Sequence, residues 1–394
     1  MKNNLVLFCI GLLMLTSCSD NSNDNYEEVP TYPFVEAEFG TSIDFKNLAN
    51  YANQTVPTYI TKNNSQGNLI TDKGATLGRV LFYDKKLSSN NTISCSNCHI
   101  QANAFGDVAV ASQGVNGTTG RHSMRLINVR FANEAKFFWD ERATNLETQT
   151  TMPIKDHGEM GYSGQNGDQS FSDLIVKLNA VGYYRELFKF VYGTEEITEA
   201  KIQIALSQFI RSIQSFDSKY DAGRALAPND GAPFANFSAQ ENDGKNLFLT
   251  PPTFNASGVR TSGGLGCAGC HRAPEFDIDP NTRNNGIIGT IAGTGIDITN
   301  TRAPSLRNLV KLDGTTNGPM MHTGVITTLQ QAIGHYGTIN RAAGNTNLDP
   351  RLMPGGVGQQ LNLTGTEVNA VIAFLRTLSG SDVYTNPKWS NPFN

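Results

Sequence analysis

At 394 residues the chain is too long for one small domain and suits two of ordinary size. A formal charge of −4, only 17% charged residues and no basic block exclude nucleic acid as a partner. The 38 glycines point to a globular protein rich in turns.

The chain opens on a targeting segment. Lys2 supplies a positive start, and Leu5–Leu15 is an apolar run too short to cross a bilayer. It ends in Leu15-Thr16-Ser17-Cys18, which has the form of a bacterial lipobox. On that reading residues 1–17 are a lipoprotein signal peptide and Cys18 becomes the first mature residue, carrying lipid. A plain secretory leader with an incidental cysteine is the alternative. A lipidated cysteine tethers a folded body to a membrane surface without spanning it. Ser19–Glu28 is polar and acidic, and residues 18–45 are expected to form a flexible tether. The expected location is the cell envelope, in the periplasm or at the outer surface, with the membrane reached through the lipid anchor only.

Six cysteines are present. Cys9 lies in the leader and Cys18 at its end; the other four form Cys95-Ser96-Asn97-Cys98-His99 and Cys267-Ala268-Gly269-Cys270-His271. None remains for a disulfide, the usual use of cysteines in an exported chain. In a CxxCH motif each sulfur bonds a haem vinyl group and the histidine becomes the proximal iron ligand. Two c-type haems are therefore expected, one on Cys95, Cys98 and His99, the other on Cys267, Cys270 and His271.

The surroundings of the two motifs repeat. Leu77-Gly78-Arg79-Val80-Leu81-Phe82 precedes the first, and Gly244-Lys245-Asn246-Leu247-Phe248 the second. Downstream, Ala205 to Ile213 and Ala370 to Leu378 both read A-x3-F-[IL]-R-[ST]-[IL]. Ile202, Leu206, Phe209, Ile213 and Phe216 fall on one helical face, as do Val368, Val371, Ile372, Leu375 and Leu378. Ser238 with Glu241 and Thr364 with Glu367 have the spacing of capping boxes. The expected fold is mainly α, with two tandem cytochrome c-like domains, each wrapped by long loops around one covalent haem. The N-terminal domain takes residues 46–231 and the C-terminal domain residues 232–394, divided at the loop Ala227–Pro233.

Function turns on the sixth coordination position of each iron. A strong sixth ligand makes an electron-transfer haem; an open position makes a catalytic one. His122, His157, His322, His335, Met124, Met152, Met160, Met320, Met321, Met353 and several tyrosines are candidates by side chain, and composition does not choose among them.

Further stretches are distinctive: Phe138-Trp139-Asp140-Glu141-Arg142, Leu146-Glu147 leading to Gln149, Pro153-Ile154, Glu159-Met160, Ala303-Pro304-Ser305-Leu306-Arg307-Asn308 and Met321-His322-Thr323-Gly324. With Leu77–Phe82 they make the chain, from about Leu77 to Gly380, resemble the bacterial dihaem cytochrome c peroxidase family. That family has a tyrosine-ligated branch, which includes the dihaem enzyme that matures the methylamine dehydrogenase cofactor.

The resemblance implies an exported peroxidase that reduces hydrogen peroxide to water. Electrons from a small redox protein or other donor are relayed through the second haem. The family's inter-haem tryptophan corresponds to Trp139, its distal glutamine to Gln149 and its distal glutamate to Glu159, with a proline at Pro153. A carboxylic acid in a dry pocket can take the proton from one peroxide oxygen and return it to the other. Ordinary packing for Trp139 and an exposed loop position for Glu159 are the plain alternatives.

Two departures from the family pattern matter. Asn116, in Gln113-Gly114-Val115-Asn116-Gly117, stands where many members carry a histidine that blocks the first haem, so that haem is expected to be open; His122 is the nearby alternative blocker. Tyr336, in Ile333-Gly334-His335-Tyr336, stands where they carry the methionine ligand of the second haem. Tyrosinate would stabilise ferric iron there, and His335 is the competing donor. A family calcium ion is an optional third cofactor: its carbonyl positions correspond to Asn317 and Pro319, but His122, a poor calcium ligand, replaces its asparagine. Two rival readings remain: a dihaem oxidase that modifies a side chain of a partner protein, and a non-enzymatic dihaem electron carrier with both irons six-coordinate.

Overall fold

The structure, a computed structural model, describes residues 31–132, 136–278 and 281–393. The expected signal peptide, residues 1–17, and the expected lipidation residue, Cys18, lie outside the described residues. In chain order the helices are α1 (Pro33–Phe39), α2 (Asp72–Tyr83), α3 (Cys95–Cys98), α4 (Leu146–Thr151), α5 (Phe171–Asn179) and α6 (Gly182–Tyr192). Then come α7 (Glu199–Ser212), α8 (Lys219–Arg224), α9 (Ala239–Leu249), α10 (Leu329–Gly337) and α11 (Gly365–Arg376). Strands are short: β1 (Pro252–Phe254) pairs antiparallel with β2 (Arg260–Gly263), and β3 (His271–Arg272) with β4 (Asp277–Ile278). The fold is mainly α, and long loops join the helices.

Local signals set the helix ends. The Thr71 hydroxyl accepts the Gly74 N–H at 3.0 Å and starts α2. Both expected capping boxes form, Ser238 with Glu241 on α9 and Thr364 with Glu367 on α11. The helices of the A-x3-F repeat end sooner than their apolar periodicity suggests. Ile213 caps α7 with extended backbone and Phe216 lies beyond it, while Leu378 lies beyond α11. Burial rather than helical geometry accounts for the apolar residues there: Ile213 and Leu378 are fully buried.

The sequence repeat recurs as a packing repeat. Helix α2 crosses α7, and α9 crosses α11. At the first crossing a Cβ on Gly78 would strike the Ala205 carbonyl and crowd Phe209; at the second a Cβ on Gly244 would strike the Ala370 carbonyl and crowd Phe374. Ala205 and Phe209 hold the same repeat positions as Ala370 and Phe374, so both halves use one close helix contact that only glycine admits. Gly244→Val is expected to destabilise the fold by about 1–3 kcal/mol through overpacking at this crossing, read as a lowered denaturation midpoint with an unchanged slope.

One sequence expectation needs correction. The flexible tether does not reach residue 45, because Pro33–Phe39 is helical, packs along α6 and buries Val35 and Phe39. Pro33–Asn394 forms one compact unit. Tyr220 of α8 packs into the second core with Phe234, Phe276 and Phe374. In return the C-terminal tail docks on the first half. Trp389 is buried with its Nε1 donating to the Ser212 hydroxyl at 3.2 Å, and the Tyr83 hydroxyl donates to the Trp389 carbonyl at 2.7 Å. An aromatic side chain buries where apolar area is available, irrespective of its sequence neighbourhood.

Candidate active site

Ser94 and Asn97 cap the single turn of α3, with the Ser94 N–H donating to Asn97 Oδ1 at 2.9 Å. This turn presents Cys95, Cys98 and His99 to a cavity of about 650 Å³. His99 Nδ1 lies 3.3 Å from the Phe105 carbonyl oxygen, so Nδ1 carries the proton. A carbonyl that fixes the tautomer in this way is the usual support of a metal-ligating histidine. Burial lowers the His99 pKa and keeps the ring neutral. Burial also pushes the Cys95 thiol up to about 12 and that of Cys98 up to about 11. Neither is the thiolate that a zinc site or a redox thiol needs.

The opposite wall is built by α4 and the loop after it. Asn145 caps α4, accepting the Thr148 N–H at 2.7 Å, and Glu147 pins the helix to α7 through an ion pair with Arg211. Burial works against the Glu147 charge, but hydrogen bonds from Arg211 and Asn68 prevail and hold its pKa down at about 2. With α4 so fixed, Gln149 lines the cavity together with Pro153 and Glu159. In the loop, Asp156 Oδ1 accepts the N–H groups of Gly158 (2.8 Å) and Glu159 (3.0 Å), and the Glu159 carbonyl accepts the Val115 N–H at 3.0 Å. Gly114 allows that approach, since a Cβ there would strike the Gly158 carbonyl. Burial first, and then the nearby Asp156 charge, push the Glu159 carboxyl up to about 7, against the pull of Arg142.

Asn116 is exposed and turned to the loop, its Nδ2 donating to the His157 carbonyl at 2.9 Å, and it is no part of the cavity wall. His157 is exposed and paired with Asp168. His122 does line the first cavity, but its Nδ1 is held 3.0 Å from the Ala109 carbonyl.

Trp139 belongs to the walls of both cavities. Its carbonyl accepts the N–H groups of Thr301 (2.9 Å) and Arg302 (3.1 Å), and its Nε1 donates to the His122 carbonyl at 2.7 Å. The indole is thus fixed between the two halves.

The second cavity, about 720 Å³, is lined by Cys267, Cys270 and His271. Burial pushes the His271 pKa down to about 4 and the Cys267 thiol up to about 12. Helix α10, started by a Thr328–Gln331 capping box, carries Tyr336 into this wall, where the Tyr336 hydroxyl accepts from Asn285 Nδ2 at 3.1 Å. Burial raises the Tyr336 pKa and the Asn285 hydrogen bond opposes it. Met321 and His322 share the wall; His335 does not, and its Nε2 lies 2.9 Å from the Asn285 carbonyl.

Arg125 was not foreseen. It lines both cavities, donates from Nη2 to the Ser305 carbonyl at 3.0 Å, and leaves Nε buried without a partner. Burial lowers its pKa to about 10, so it stays a cation. An under-satisfied guanidinium between two cavities fits cofactors that bear carboxylates. Asp156, Arg142 and Asn285 were also missed as functional groups, since each acts through a neighbour; Arg142 closes the Phe138–Arg142 stretch and Asp156 stands three residues before Glu159. Both cavities have volumes within the usual range for small-molecule and cofactor sites, about 300–1,000 Å³, and with a neutral histidine and two thiols each fits a c-type haem. Calcium has no such support: among the described residues no three His, Cys, Asp or Glu side chains converge. The Asn317 amide is engaged by the Asn308 carbonyl (2.8 Å) and the Tyr384 hydroxyl (2.7 Å), while Pro319 lines the second cavity.

A family model described as di-haem cytochrome c peroxidase matches residues 72–226. The methylamine utilization protein MauG of Methylophilus methylotrophus is 26% identical over 322 residues, covering 79% of this chain and 84% of that protein. Cytochrome c551 peroxidase of Nitrosomonas europaea is 28% identical over 319 residues, covering 78% and 80%. Among solved structures, a MauG-like protein associated with microbial copper homeostasis superposes with a TM-score of 0.64 at 27% identity, covering 86% of this chain and 99% of that one. Over nearly four fifths of its length the chain is thus similar to bacterial dihaem cytochrome c peroxidases and MauG-like proteins.

Proposed function

We propose that the chain is an exported, lipid-anchored dihaem peroxidase that reduces hydrogen peroxide to water at the first cavity, with electrons relayed from the second. The family supports a peroxidase-type oxidoreductase; the observation that carries the finer reading is a carboxyl group, Glu159, facing the His99 cavity with its pKa near 7. Bound haem supplies the redox chemistry at each site. The protein supplies the proton handling. Glu159 accepts a proton from one peroxide oxygen and delivers it to the other, which leaves as water. The Gln149 amide orients the peroxide, and the Leu146, Leu206 and Phe82 side chains in the wall limit competing water. Trp139, common to both walls, is the relay for electrons that a small redox protein delivers at the second site. The charge of Asp156, an exposed residue whose Oδ1 accepts the Glu159 N–H, tunes the acid–base group.

The pH dependence of kcat/KM, measured with a reduced cytochrome or an artificial donor, tests this reading. The base must be ionised in the free enzyme, so the rate rises as pH passes through about 7 and is flat above it. Asp156→Asn removes a charge that raises the Glu159 pKa and moves this limb to lower pH; Arg142→Gln moves it to higher pH. A Soret band that peroxide leaves unchanged, or a rate independent of pH across this range, overturns the proposal.

In the same reading Tyr336 is the sixth ligand of the second iron, supported by its place in the cavity wall and by the diversion of His335 to Asn285. Low-spin EPR signals of the resting ferric protein are expected to change in Tyr336→Phe. Identical signals would rule Tyr336 out and leave Met320, Met321 and His322 as the wall's donors. Tyr336 also favours a second reading, oxidation of a partner protein's side chain, since an anionic ligand helps to hold oxidising equivalents on both haems. Fast turnover with small donors argues against it.

A further inference from the structure

The first haem motif has a redox-active neighbour that the peroxidase reading does not use. Tyr183 and Tyr184 open helix α6 and are buried, as is Asp84 at the end of α2. Both phenols donate to one oxygen of Asp84, Oδ2, at 2.6 and 2.8 Å, while its other oxygen takes the Lys86 N–H at 2.8 Å. The two rings stand 4.8 Å apart. Helix α2, which ends at Asp84, packs against both α6 and α3, and Cys95 of α3 lines the first cavity. One phenol would suffice to tie α6 to α2; two on a single buried oxygen form a proton-accepting site shared by adjacent oxidisable rings.

We propose that Tyr184, with Asp84 as its proton acceptor and Tyr183 as its partner, is an auxiliary one-electron donor to the first haem site when no external reductant is at hand. The inference rests on the peroxidase reading. Hydrogen peroxide is the oxidant: with two electrons and two protons it gives two waters. Tyr184 supplies one of those electrons by way of the haem that Cys95 would hold, the other would come from the haem at the second site past Trp139, and the two protons come from solvent. As the electron leaves the ring, the O–H bond breaks and the proton moves to Asp84 Oδ2, leaving a neutral tyrosyl radical and a carboxylic acid. No water is needed, because donor and acceptor are already hydrogen-bonded. Burial and the Asp84 charge raise both phenol pKa values, so the proton is present to be transferred at any working pH. Lys86 Nζ sits 5.4 Å from the Tyr183 ring centroid. A cation there disfavours electron loss from Tyr183, so the radical resides on Tyr184. External reductant returns the electron, and Asp84 returns the proton.

The test is freeze-quench EPR of the diferric holoprotein mixed with hydrogen peroxide without donor, with the Soret band followed in parallel. A tyrosyl signal is expected that narrows with ring-deuterated tyrosine, is lost in Tyr184→Phe and falls in Asp84→Asn. It should persist in Tyr192→Phe, at the far end of the same helix. Donor-supported turnover in Tyr184→Phe should match wild type, which also shows that the variant is folded. A Soret change and turnover in wild type without any tyrosyl signal would overturn this inference alone. So would a deuteration-sensitive signal that survives Tyr184→Phe. Absence of the Soret change itself would overturn the peroxidase reading, and this inference with it.

Discussion

Glu159→Gln is expected to reduce peroxide turnover by about 10²–10⁴-fold, the usual contribution of a positioned acid–base group. Glutamine keeps the volume of the side chain and its place in the wall, so haem content by the pyridine haemochrome assay should be unchanged. What it removes is the ability to hold a proton between two oxygens. The setting makes this loss large. A carboxyl at its ordinary pKa would be a weak base near neutrality; at about 7 it can both take and return the proton. The shift has named causes, burial and then Asp156, set against Arg142. The acid limb of the pH profile should therefore vanish with Glu159→Gln, since the group responsible for it is gone. A variant with full turnover and the wild-type limb would place the acid–base function elsewhere in the cavity.

Arg307→Met should cost about 3–5 kcal/mol, the penalty of leaving one partner of a buried ion pair alone. Arg307 is fully buried. Its Nη1 donates to Asp221 Oδ2 and its Nη2 to Asp221 Oδ1, both at 2.9 Å, and Nη2 also meets the Pro274 carbonyl at 2.8 Å. The guanidinium packs within 5.2 Å of the Phe216 ring centroid and 5.4 Å of that of Tyr220. Burial alone would raise the Asp221 pKa, but the Arg307 charge prevails and holds it below the usual carboxylate range. Asp221 therefore contributes stability above the unfolded carboxylate pKa, and this is lost as pH falls through the lower folded value. Arg307→Met should abolish that acid-side dependence and lower the denaturant midpoint near neutrality. The double variant with Asp221→Leu should recover part of the loss, because it removes the stranded charge as well.

How much was legible in the sequence followed the range of each interaction. The CxxCH motifs, the capping boxes at Ser238 and Thr364 and the A-x3-F repeat are readable because covalent attachment and helix capping involve residues a few positions apart. The repeated stretches contain Gly78 and Gly244, and the structure shows that each makes the same close helix contact. Glu159, Gln149 and Trp139 were found by their spacing within a family pattern, and their shared walls came from the fold. Arg125 could not be read, because its place depends on a partner, Ser305, that is 180 residues away in the chain. The limit of the tether failed for the same reason: Val35 buries against a distant element, as do Tyr220 and Trp389. By itself the sequence determined the two CxxCH motifs and the helical repeat around them. Only the tertiary structure decided which side chains face each cavity, that Trp139 borders both, and how far burial shifts Glu159, because desolvation and through-space charge depend on what the fold packs around a group.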